Sequence, residues 1–231
     1  MLPSGAWAEQ IAAPTHAIAE LPSFVSFAQA ATLPVAGLTA LLALEKGGSV
    51  LGRSVLITGA SGGVGHFACQ LARYAGARLV VAQVRRSDLV EFVKVAGAHQ
   101  VVVGDDPSPA EQYGFYDVVL DSVGGQTLPG ALNLLAVDGT CVTFGATAGS
   151  EVTLNVSRFY GKGGLNFYGF ILFHELKAQP AALGLQRLVK LLDEGHLRPH
   201  IALEAPWTEV DTVAQQLTQR QFIGKAVLHL E

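Results

Sequence analysis

Short apolar segments alternate with helical segments from residue 54 onward, and this alternation limits the possible folds more than any other feature. The apolar segments are rich in β-branched residues and end at turn residues, which is typical of strands covered on both faces of a sheet. They are SVLITG (54–59), RLVVAQV (78–84), QVVVG (100–104), DVVLDS (117–122), CVTFG (141–145) and LNFYGF (165–170).

Helical patterns lie between the first five strands, near residues 63–75, 88–96 and 126–136, with a short irregular connection near 105–116. Strand, crossover helix and parallel strand make a right-handed βαβ unit. The sequence therefore predicts an α/β protein with a Rossmann-type, doubly wound parallel sheet of about six strands. Half of the 231 residues are hydrophobic and 15% are charged, a composition that can fill the core of such a domain.

A glycine-rich loop, TGASGGVG, joins the first strand to the first helix at residues 58–65. Small residues at 60, 62 and 65 allow the tight turn, the approach of a pyrophosphate to the backbone, and the packing of helix on strand. The free N–H groups and the positive end of the helix dipole would face the phosphates. The loop therefore predicts a dinucleotide site; the alternative is a glycine turn that binds no ligand.

The end of the second strand indicates which dinucleotide is expected. An NAD site usually carries an Asp or Glu about 20 residues past the loop to bind the ribose hydroxyls. Here Val84, Arg85 and Arg86 occupy that place. Two guanidinium groups suit a 2′-phosphate, so we expect NADPH; the alternative is that both are solvated surface charges. Asp88 opens an Asp-Leu-Val-Glu segment and is interpreted as a helix cap.

Two families of nicotinamide enzymes share this loop pattern. The T-G-x-x-x-G-x-G form is also typical of short-chain dehydrogenases, which use Tyr-x-x-x-Lys as their proton donor. None of Tyr74, Tyr113, Tyr116, Tyr160 and Tyr168 has a Lys four residues later. The resemblance to the short-chain family therefore stops at the loop.

The segment AATLPVAGLTALLAL (30–44) and the loop after it resemble the medium-chain dehydrogenase/reductases, specifically their zinc-independent quinone oxidoreductase (zeta-crystallin-like) branch. Further similarity lies in DVVLDSVGGQTL (117–128), LAVDGTCVTFGATAG (135–149), LNFYGF and the terminal GKAVLHL (224–230). These segments span nearly the whole chain in the expected order. The resemblance implies an NADPH-dependent oxidoreductase built on a nucleotide-binding α/β domain.

The resemblance also implies which residues contact the coenzyme. Most of them follow the carboxyl ends of strands, where open α/β sheets bind their ligands. In chain order they are Thr39, Ser61, Gly62, Gly63, Val64, Arg85, Arg86, Ser122, Val123, Gly124, Phe144, Gly145, Ala146, Phe170, Ile171 and Leu172. At the adenosine end, Leu89 and Gly104 stand where many quinone oxidoreductases have Lys and Tyr. The catalytic residues stay unknown, because the family's substrate-side polar residues lie mostly in another domain.

No zinc is expected from the resemblance. In the zinc-dependent alcohol dehydrogenase branch, a metal-binding Cys lies four positions before the residue that corresponds to Thr39, and here that residue is Val35. The segment HEL at 174–176 also lacks the second His of an H-E-x-x-H site. Without a Lewis acid, we expect hydride delivery to an already polarised acceptor, such as a quinone or an α,β-unsaturated carbonyl.

The resemblance divides the chain into a remnant of a GroES-like catalytic domain (1–33), an NADP-binding Rossmann domain (34–200), and a C-terminal helix and strand that return to the remnant (201–231). A complete domain of the GroES-like kind takes on the order of 100 residues. We therefore expect NADPH binding with weak turnover or none. The alternative is a non-catalytic module for NADPH binding or dimerisation. Residues 5–22 are predicted to form short strands and turns.

The predicted last strand of the sheet lies in the apolar segment GGLNFYGFILF (163–173) and is expected to be an exposed edge. The resemblance implies a homodimer through residues 165–170; a loop of the same chain could instead cover this edge. A net charge of −4 and short apolar segments do not favour nucleic acid or membrane binding. Two cysteines in apolar surroundings and the lack of a signal-peptide pattern predict a reduced, cytoplasmic protein.

Overall fold

Six parallel strands form the main sheet in the computed structural model, which describes residues 8–230. The strands are β1 Ser54–Ile57, β2 Leu79–Val84, β3 Gln100–Val103, β4 Tyr116–Asp121, β5 Leu135–Thr143 and β6 Asn166–Gly169. Their spatial order is β3-β2-β1-β4-β5-β6, and every neighbouring pair is parallel. This doubly wound Rossmann order confirms the fold class predicted from the sequence.

Helices connect the strands of this sheet. The α-helices within residues 8–230 are α1 Phe27–Ala31, α2 Leu38–Lys46, α3 Gly63–Tyr74, α4 Val90–Val95, α5 Thr127–Asn133, α6 Val156–Tyr160, α7 Leu172–Glu175, α8 Ala181–Asp193 and α9 Val210–Thr218. Because crossovers are right-handed and the strand order reverses at β1, α3 and α4 lie on one face of the sheet and α5 on the other. Residues 55–57 and 118–120 are fully buried between these layers, which explains their uniformly apolar sequence.

The chain divides into two compact units. The unit that contains the six-stranded sheet runs from Ala40 to Ile171. The other comprises the chain up to Thr39 and from Leu172 onward, and it contains a parallel pair of strands, β7 Ile201–Pro206 and β8 Lys225–His229. The division predicted at 33/34 and 200/201 stays a prediction. Within residues 8–230, no helix is both long enough and apolar enough to cross a lipid bilayer.

The predicted boundary between α5 and β5 is wrong. The sequence pattern extends the helix to residue 136 and starts the strand at Cys141, whereas the strand begins at Leu135. Asp138 and Gly139 resemble a turn, and Asp138 has a positive φ of 59°. The strand nevertheless continues through Asp138 and Gly139. The register between β4 and β5 shifts at this point, and β5 stays paired with β4 before and after these two residues.

The connection before β4 is more regular than the sequence suggested. Residues 105–116 were predicted to be irregular, but Ser108–Tyr113 forms a 3-10 helix. The buried Tyr116 holds it in place, because its hydroxyl donates a hydrogen bond to the Ala110 carbonyl at 2.8 Å. A single buried tyrosine thus orders a segment whose own sequence has no clear periodicity.

The second unit also departs from the sequence prediction. Among residues 8–22 there is one 3-10 turn, Thr15–Ala17, and no strand; residues 5–7 lie outside the described part. Pro14 and Pro22 each remove one backbone donor, and most of residues 8–22 are exposed, so no strand with a buried face forms there. The predicted helix and final strand within 205–231 are confirmed as α9 and β8, but β7 was not predicted. Its strand partner lies more than twenty residues further along the chain, so no local pattern indicates the pairing.

Candidate functional site

The carboxyl ends of β1 and β4 are neighbours at the point where the strand order reverses. Open α/β sheets bind ligands in the crevice outside this switch point. The glycine loop follows β1 here, and residues 122–124 follow β4. Since all six strands are parallel, residues 85–86, 144–146 and 170–171 also lie at this edge. The fold therefore brings most of the predicted site residues to one side of the sheet.

The glycine loop opens α3 with free backbone donors. Gly62 is the N-cap residue, and the first intrahelical bond runs from the His66 N–H to the Gly62 carbonyl at 2.9 Å. The N–H groups of residues 63–65 precede that bond, so they have no acceptor within the helix. Together with the helix dipole, these donors provide a site for an anionic group such as a phosphate.

Close packing requires glycine at two positions of this loop. A Cβ on Gly65 would lie 2.6 Å from Ala60 Cα, so no side chain fits where α3 crosses β1. Gly59 has a positive φ of 60°, and a Cβ there would collide with Ser122 Oγ. Gly62, in contrast, is exposed, and a Cβ would meet only the Gly59 carbonyl oxygen, at 3.3 Å. The outer side of the loop is therefore open, which leaves its backbone accessible to a ligand.

A buried carboxylate fixes the strand ends beneath the loops. Asp121, the last residue of β4, is fully buried, and its Oδ1 accepts hydrogen bonds from Thr58 Oγ1 at 2.7 Å and from the Val123 N–H at 3.4 Å. Its Oδ2 accepts from the Gly124 N–H at 3.1 Å and from Thr143 Oγ1 at 3.2 Å. One side chain thus links the ends of β1, β4 and β5 and holds the turn that follows β4.

The loops after β4 and β5 pair with each other. Gly124 and Gly149 form a parallel bridge, and the Ala148 N–H donates to the Val123 carbonyl at 2.8 Å. The approach is so close that a Cβ on Gly145 would lie 2.7 Å from a carbonyl oxygen of the β4 loop. Residues 122–124 and 144–149 therefore form one continuous wall at the switch point.

Aromatic rings extend this edge toward β6. The rings of Phe144 and Phe170 meet edge to face, with their centroids 6.4 Å apart. Phe170 is buried, whereas Ile171 is 64% exposed. Thr39 and Leu172 are buried residues of the other compact unit. The sheet unit by itself therefore carries every predicted site residue except these two.

The two arginines after β2 have different surroundings. Both are exposed, and Arg85 has no hydrogen-bond or ion-pair partner within residues 8–230. Arg86 donates from Nε to Asp88 Oδ1 at 3.0 Å and from Nη2 to Asp88 Oδ2 at 2.8 Å. The interpretation of Asp88 as a helix cap is wrong, because the N-cap of α4 is Leu89 and no side chain caps that helix.

Two polar residues of the site were not predicted: Asp121 and Gln83. Gln83 is buried in β2, where its Oε1 accepts from the Gly59 N–H at 3.3 Å and its Nε2 donates to the Gly104 carbonyl. It ties the glycine loop to the end of β3. A signal was available in the sequence, since a polar residue inside an otherwise apolar, buried strand must find hydrogen-bond partners.

Neither cysteine has the properties of a nucleophile or a metal ligand. Burial raises the pKa of the Cys69 thiol to about 12. Burial, and then the nearby Asp121, raise the pKa of Cys141 well above its ordinary value. Both thiols therefore stay protonated near neutral pH. Among the described residues, no three His, Cys, Asp or Glu side chains come together as a group that could hold a metal ion.

The sequence is similar to known oxidoreductases. Residues 63–187 match the zinc-binding dehydrogenase family. The mitochondrial NAD(P)H oxidoreductase RTN4IP1 of Mus musculus is 30% identical over 250 residues, which cover 98% of this chain and 61% of that protein. This chain thus spans less than two thirds of the length of that relative.

Solved structures give the same classification. An NAD-dependent alcohol dehydrogenase superposes with a TM-score of 0.85 at 27% identity, covering 98% of this chain and 66% of that one. A mycobacterial quinone oxidoreductase superposes with a TM-score of 0.81 at 25% identity, covering 92% of this chain and 67% of the other. By its sequence match and its fold, this chain belongs to the zinc-binding dehydrogenase family of the medium-chain dehydrogenase/reductase superfamily.

Proposed function

We propose that this chain serves an NADPH-dependent oxidoreductase, which transfers hydride to a quinone or an α,β-unsaturated carbonyl without zinc. The observation that carries the proposal is the glycine loop at the switch point, with the free N–H groups of α3 beside the wall of residues 122–124 and 144–149. The names of relatives support it, since they include an NAD(P)H oxidoreductase and a quinone oxidoreductase. Weak turnover by this chain alone is part of the proposal.

The backbone at the start of α3 binds the pyrophosphate in this proposal. The N–H groups of Gly63 and Val64 are donors toward the phosphates, Ser61 adds a hydroxyl, and exposed Gly62 lets the ligand approach. When bound, the dinucleotide supplies the hydride. The buried hydrogen bonds of Asp121 keep the neighbouring loop in one conformation, so the protein loses little entropy when the ligand binds.

The two arginines after β2 select the phosphorylated coenzyme. Val84 ends that strand where an NAD site usually has a carboxylate, so no acidic side chain there repels a 2′-phosphate. Arg85 is exposed and has no partner within residues 8–230, and Arg86 retains N–H groups that Asp88 does not use. Charge-assisted hydrogen bonds from both guanidinium groups to the phosphate support NADPH over NADH.

The nicotinamide half of the coenzyme is assigned to the carboxyl ends of β4, β5 and β6, away from the two arginines that follow β2. Residues 122–124 and 144–146 line it, and Phe170 and Ile171 follow at the end of β6. Thr39 and Leu172 belong to the other compact unit, and their coenzyme contacts stay predictions from the resemblance. Apolar and backbone groups of this kind orient the ring and exclude water from one of its sides.

We propose that the reaction does not use zinc, because an expected zinc ligand is replaced by an apolar residue. Val35, at the position where the zinc-dependent branch has a metal-binding Cys, carries an exposed apolar side chain that cannot bind a metal. The acceptor must then be polarised already, as quinones and α,β-unsaturated carbonyls are. Purified protein should contain well under one zinc per chain by plasma emission spectroscopy. Stoichiometric zinc that resists EDTA would contradict this part of the proposal.

Coenzyme binding tests the proposal directly. Titration followed by NADPH fluorescence should saturate for the wild-type chain, with NADH binding more weakly. Gly62→Ala places a methyl group on the open side of the loop, so it should weaken both coenzymes about tenfold while the thermal midpoint stays near the wild-type value. If neither NADPH nor NADH bound to the wild-type chain, the proposal would be rejected.

The alternative is a non-catalytic module that binds NADPH or mediates dimerisation. The exposed edge of β6, where Phe167 is 46% exposed, favours a dimerisation role. Oxidation of NADPH in the presence of a simple quinone separates the two. Saturable binding without quinone-dependent oxidation would favour the module, whereas turnover above the uncatalysed rate would favour the enzyme.

A homodimer through β6 is the proposed assembly. Within the described chain, β6 pairs with β5 on one side only and forms the edge of the sheet. Phe167 on this strand is 46% exposed. Exposed strand edges with apolar side chains tend to pair with a second chain, which would here extend the sheet across two subunits.

A further inference from the structure

The bidentate ion pair between Arg86 and Asp88 does not stabilise any other element of the fold. Arg86 donates from Nε and Nη2 to the two carboxylate oxygens of Asp88, at 3.0 and 2.8 Å. Both side chains remain more than half exposed, at 57% and 64%. Most exposed ion pairs contribute little to stability, and this one joins residues two positions apart, so it connects no separate elements of the fold.

Asp88 is also not needed to begin the helix that follows. Ser87–Leu89 is a 3-10 turn whose N-cap is Arg86, and α4 starts at Val90 without a side-chain cap. The carboxylate is instead placed by that turn against the guanidinium directly after β2. This position corresponds to the adenosine end of the proposed coenzyme site.

The pair changes the charge that a 2′-phosphate would meet. Arg85 and Arg86 supply two positive charges, and Asp88 cancels one of them within the same four-residue segment. Asp88 also occupies one donor edge of Arg86, the edge that would otherwise bind phosphate in a bidentate manner. A ribose hydroxyl is uncharged, so neither effect weakens the unphosphorylated coenzyme.

We propose that Asp88 is a specificity-determining residue of the coenzyme site, acting through Arg86 to limit the preference for a 2′-phosphate over a 2′-hydroxyl. The inference rests on the proposed function, because it needs a nicotinamide dinucleotide at the switch point. Asp88 holds Arg86 in one orientation and reduces its attraction for the phosphate. Asp88 thereby lowers the ratio of NADPH affinity to NADH affinity and leaves the affinity for NADH itself unchanged.

Binding measurements on Asp88 variants test the inference. Asp88→Asn removes the charge, so the dissociation constant for NADPH should fall about three- to tenfold while that for NADH stays within about twofold. Asp88→Glu keeps the charge and should restore the wild-type ratio. A merely structural role of Asp88 would shift both dissociation constants together, so an unchanged ratio overturns the inference.

The dependence on Arg86 is tested in a second background. In Arg86→Ala, the further change Asp88→Asn should improve NADPH binding clearly less than it does in the wild type, because only the direct repulsion between Asp88 and the phosphate is left to relieve. A full gain in that background would show direct repulsion and overturn the inference. Weakened NADH binding in Asp88→Asn would make Asp88 a ribose ligand and also overturn it. Absence of binding by the wild type is a different result, since it removes the proposed function itself.

Discussion

At the scale of single residues, two aspartates of β4 offer a direct comparison of buried hydrogen bonding. Asp121 is fully buried and accepts from four donors, whereas Asp117 is half-buried and accepts from the Ser54 N–H at 2.8 Å. In Asp121→Asn, an NH2 group replaces one acceptor and faces backbone or hydroxyl donors. The free energy of unfolding of the protein should therefore fall by about 1–3 kcal/mol.

Urea unfolding measures this difference. Asp117→Asn is the matched control on the same strand, and it should cost less than about 1 kcal/mol. Asp121→Asn should also weaken NADPH binding, because the turn after β4 loses its anchor. Equal losses of stability in the two variants would show that the Asp121 hydrogen bonds do not organise the site.

A histidine links stability to pH. His99 Nδ1 accepts from the Val80 N–H at 2.9 Å, so the folded state uses the neutral ring. Burial, and then the Arg73 charge, lower the pKa of His99 below the usual 6.5. The unfolded chain therefore binds this proton more readily. The stability that His99 contributes is complete above about pH 6.5 and is lost as the pH falls from there to the folded-state pKa.

His99→Asn tests this pH dependence, because the Asn side chain keeps an acceptor near the position of Nδ1 but does not titrate. Urea unfolding between pH 7.5 and pH 5.5 should show a smaller loss of stability for this variant than for the wild type. His16→Asn, at an exposed position, serves as the control. An unchanged slope in His99→Asn would contradict the assignment.

Some residue roles could be predicted from the sequence and others could not. Gly65 was predictable, because a helix that packs closely on the preceding strand demands a small residue at that place. The contact between Arg86 and Asp88 was not, since the same Asp also fits a capping pattern. The choice between two local partners depends on side-chain geometry that spacing alone does not determine.

At the scale of elements, the edge strand β6 leads to a test of assembly. Phe167 is half-exposed on the proposed dimer edge, so Phe167→Lys should weaken the dimer with little change in the stability of the subunit. Val95→Lys is the matched control, since Val95 on α4 is 80% exposed and lies outside that edge. Size exclusion with light scattering should report a dimer for wild type and control, and a monomer for Phe167→Lys.

Either of two results would contradict this assembly. A wild-type chain that is monomeric at micromolar concentration would reject the dimer, and a Phe167→Lys variant that remains dimeric would place the interface elsewhere. The thermal midpoint of each variant shows whether the subunit is still folded.

Strands β1 and β4 could be predicted because both of their faces are covered, which makes their sequences continuously apolar. The start of β5 could not be predicted, since Asp138 and Gly139 interrupt the apolar pattern within a strand that remains paired. Strand β7 was missed for another reason. It alternates in burial and pairs with β8, which lies more than twenty residues further along the chain.

At the scale of the whole molecule, the strand order follows from the alternation of strands and helices and from the right-handed crossover rule. The place of the candidate site follows in turn, because the order reverses between β1 and β4. One compact unit combines residues from both ends of the chain, up to Thr39 and from Leu172 onward, and only the family resemblance, not local periodicity, indicated that the two ends belong together. Contacts between distant segments leave little trace in local periodicity.

The central claim is that the switch-point crevice binds a dinucleotide whose 2′-phosphate is held by Arg85 and Arg86. Fluorescence titration of the wild type and of the Arg85→Ala, Arg86→Ala double variant with NADPH and NADH tests it most directly. The double variant should bind NADPH about thirty- to hundredfold more weakly, equal to about 2–3 kcal/mol, and NADH within about twofold of the wild type. Equal losses for both coenzymes, or no loss for NADPH, would contradict the claim.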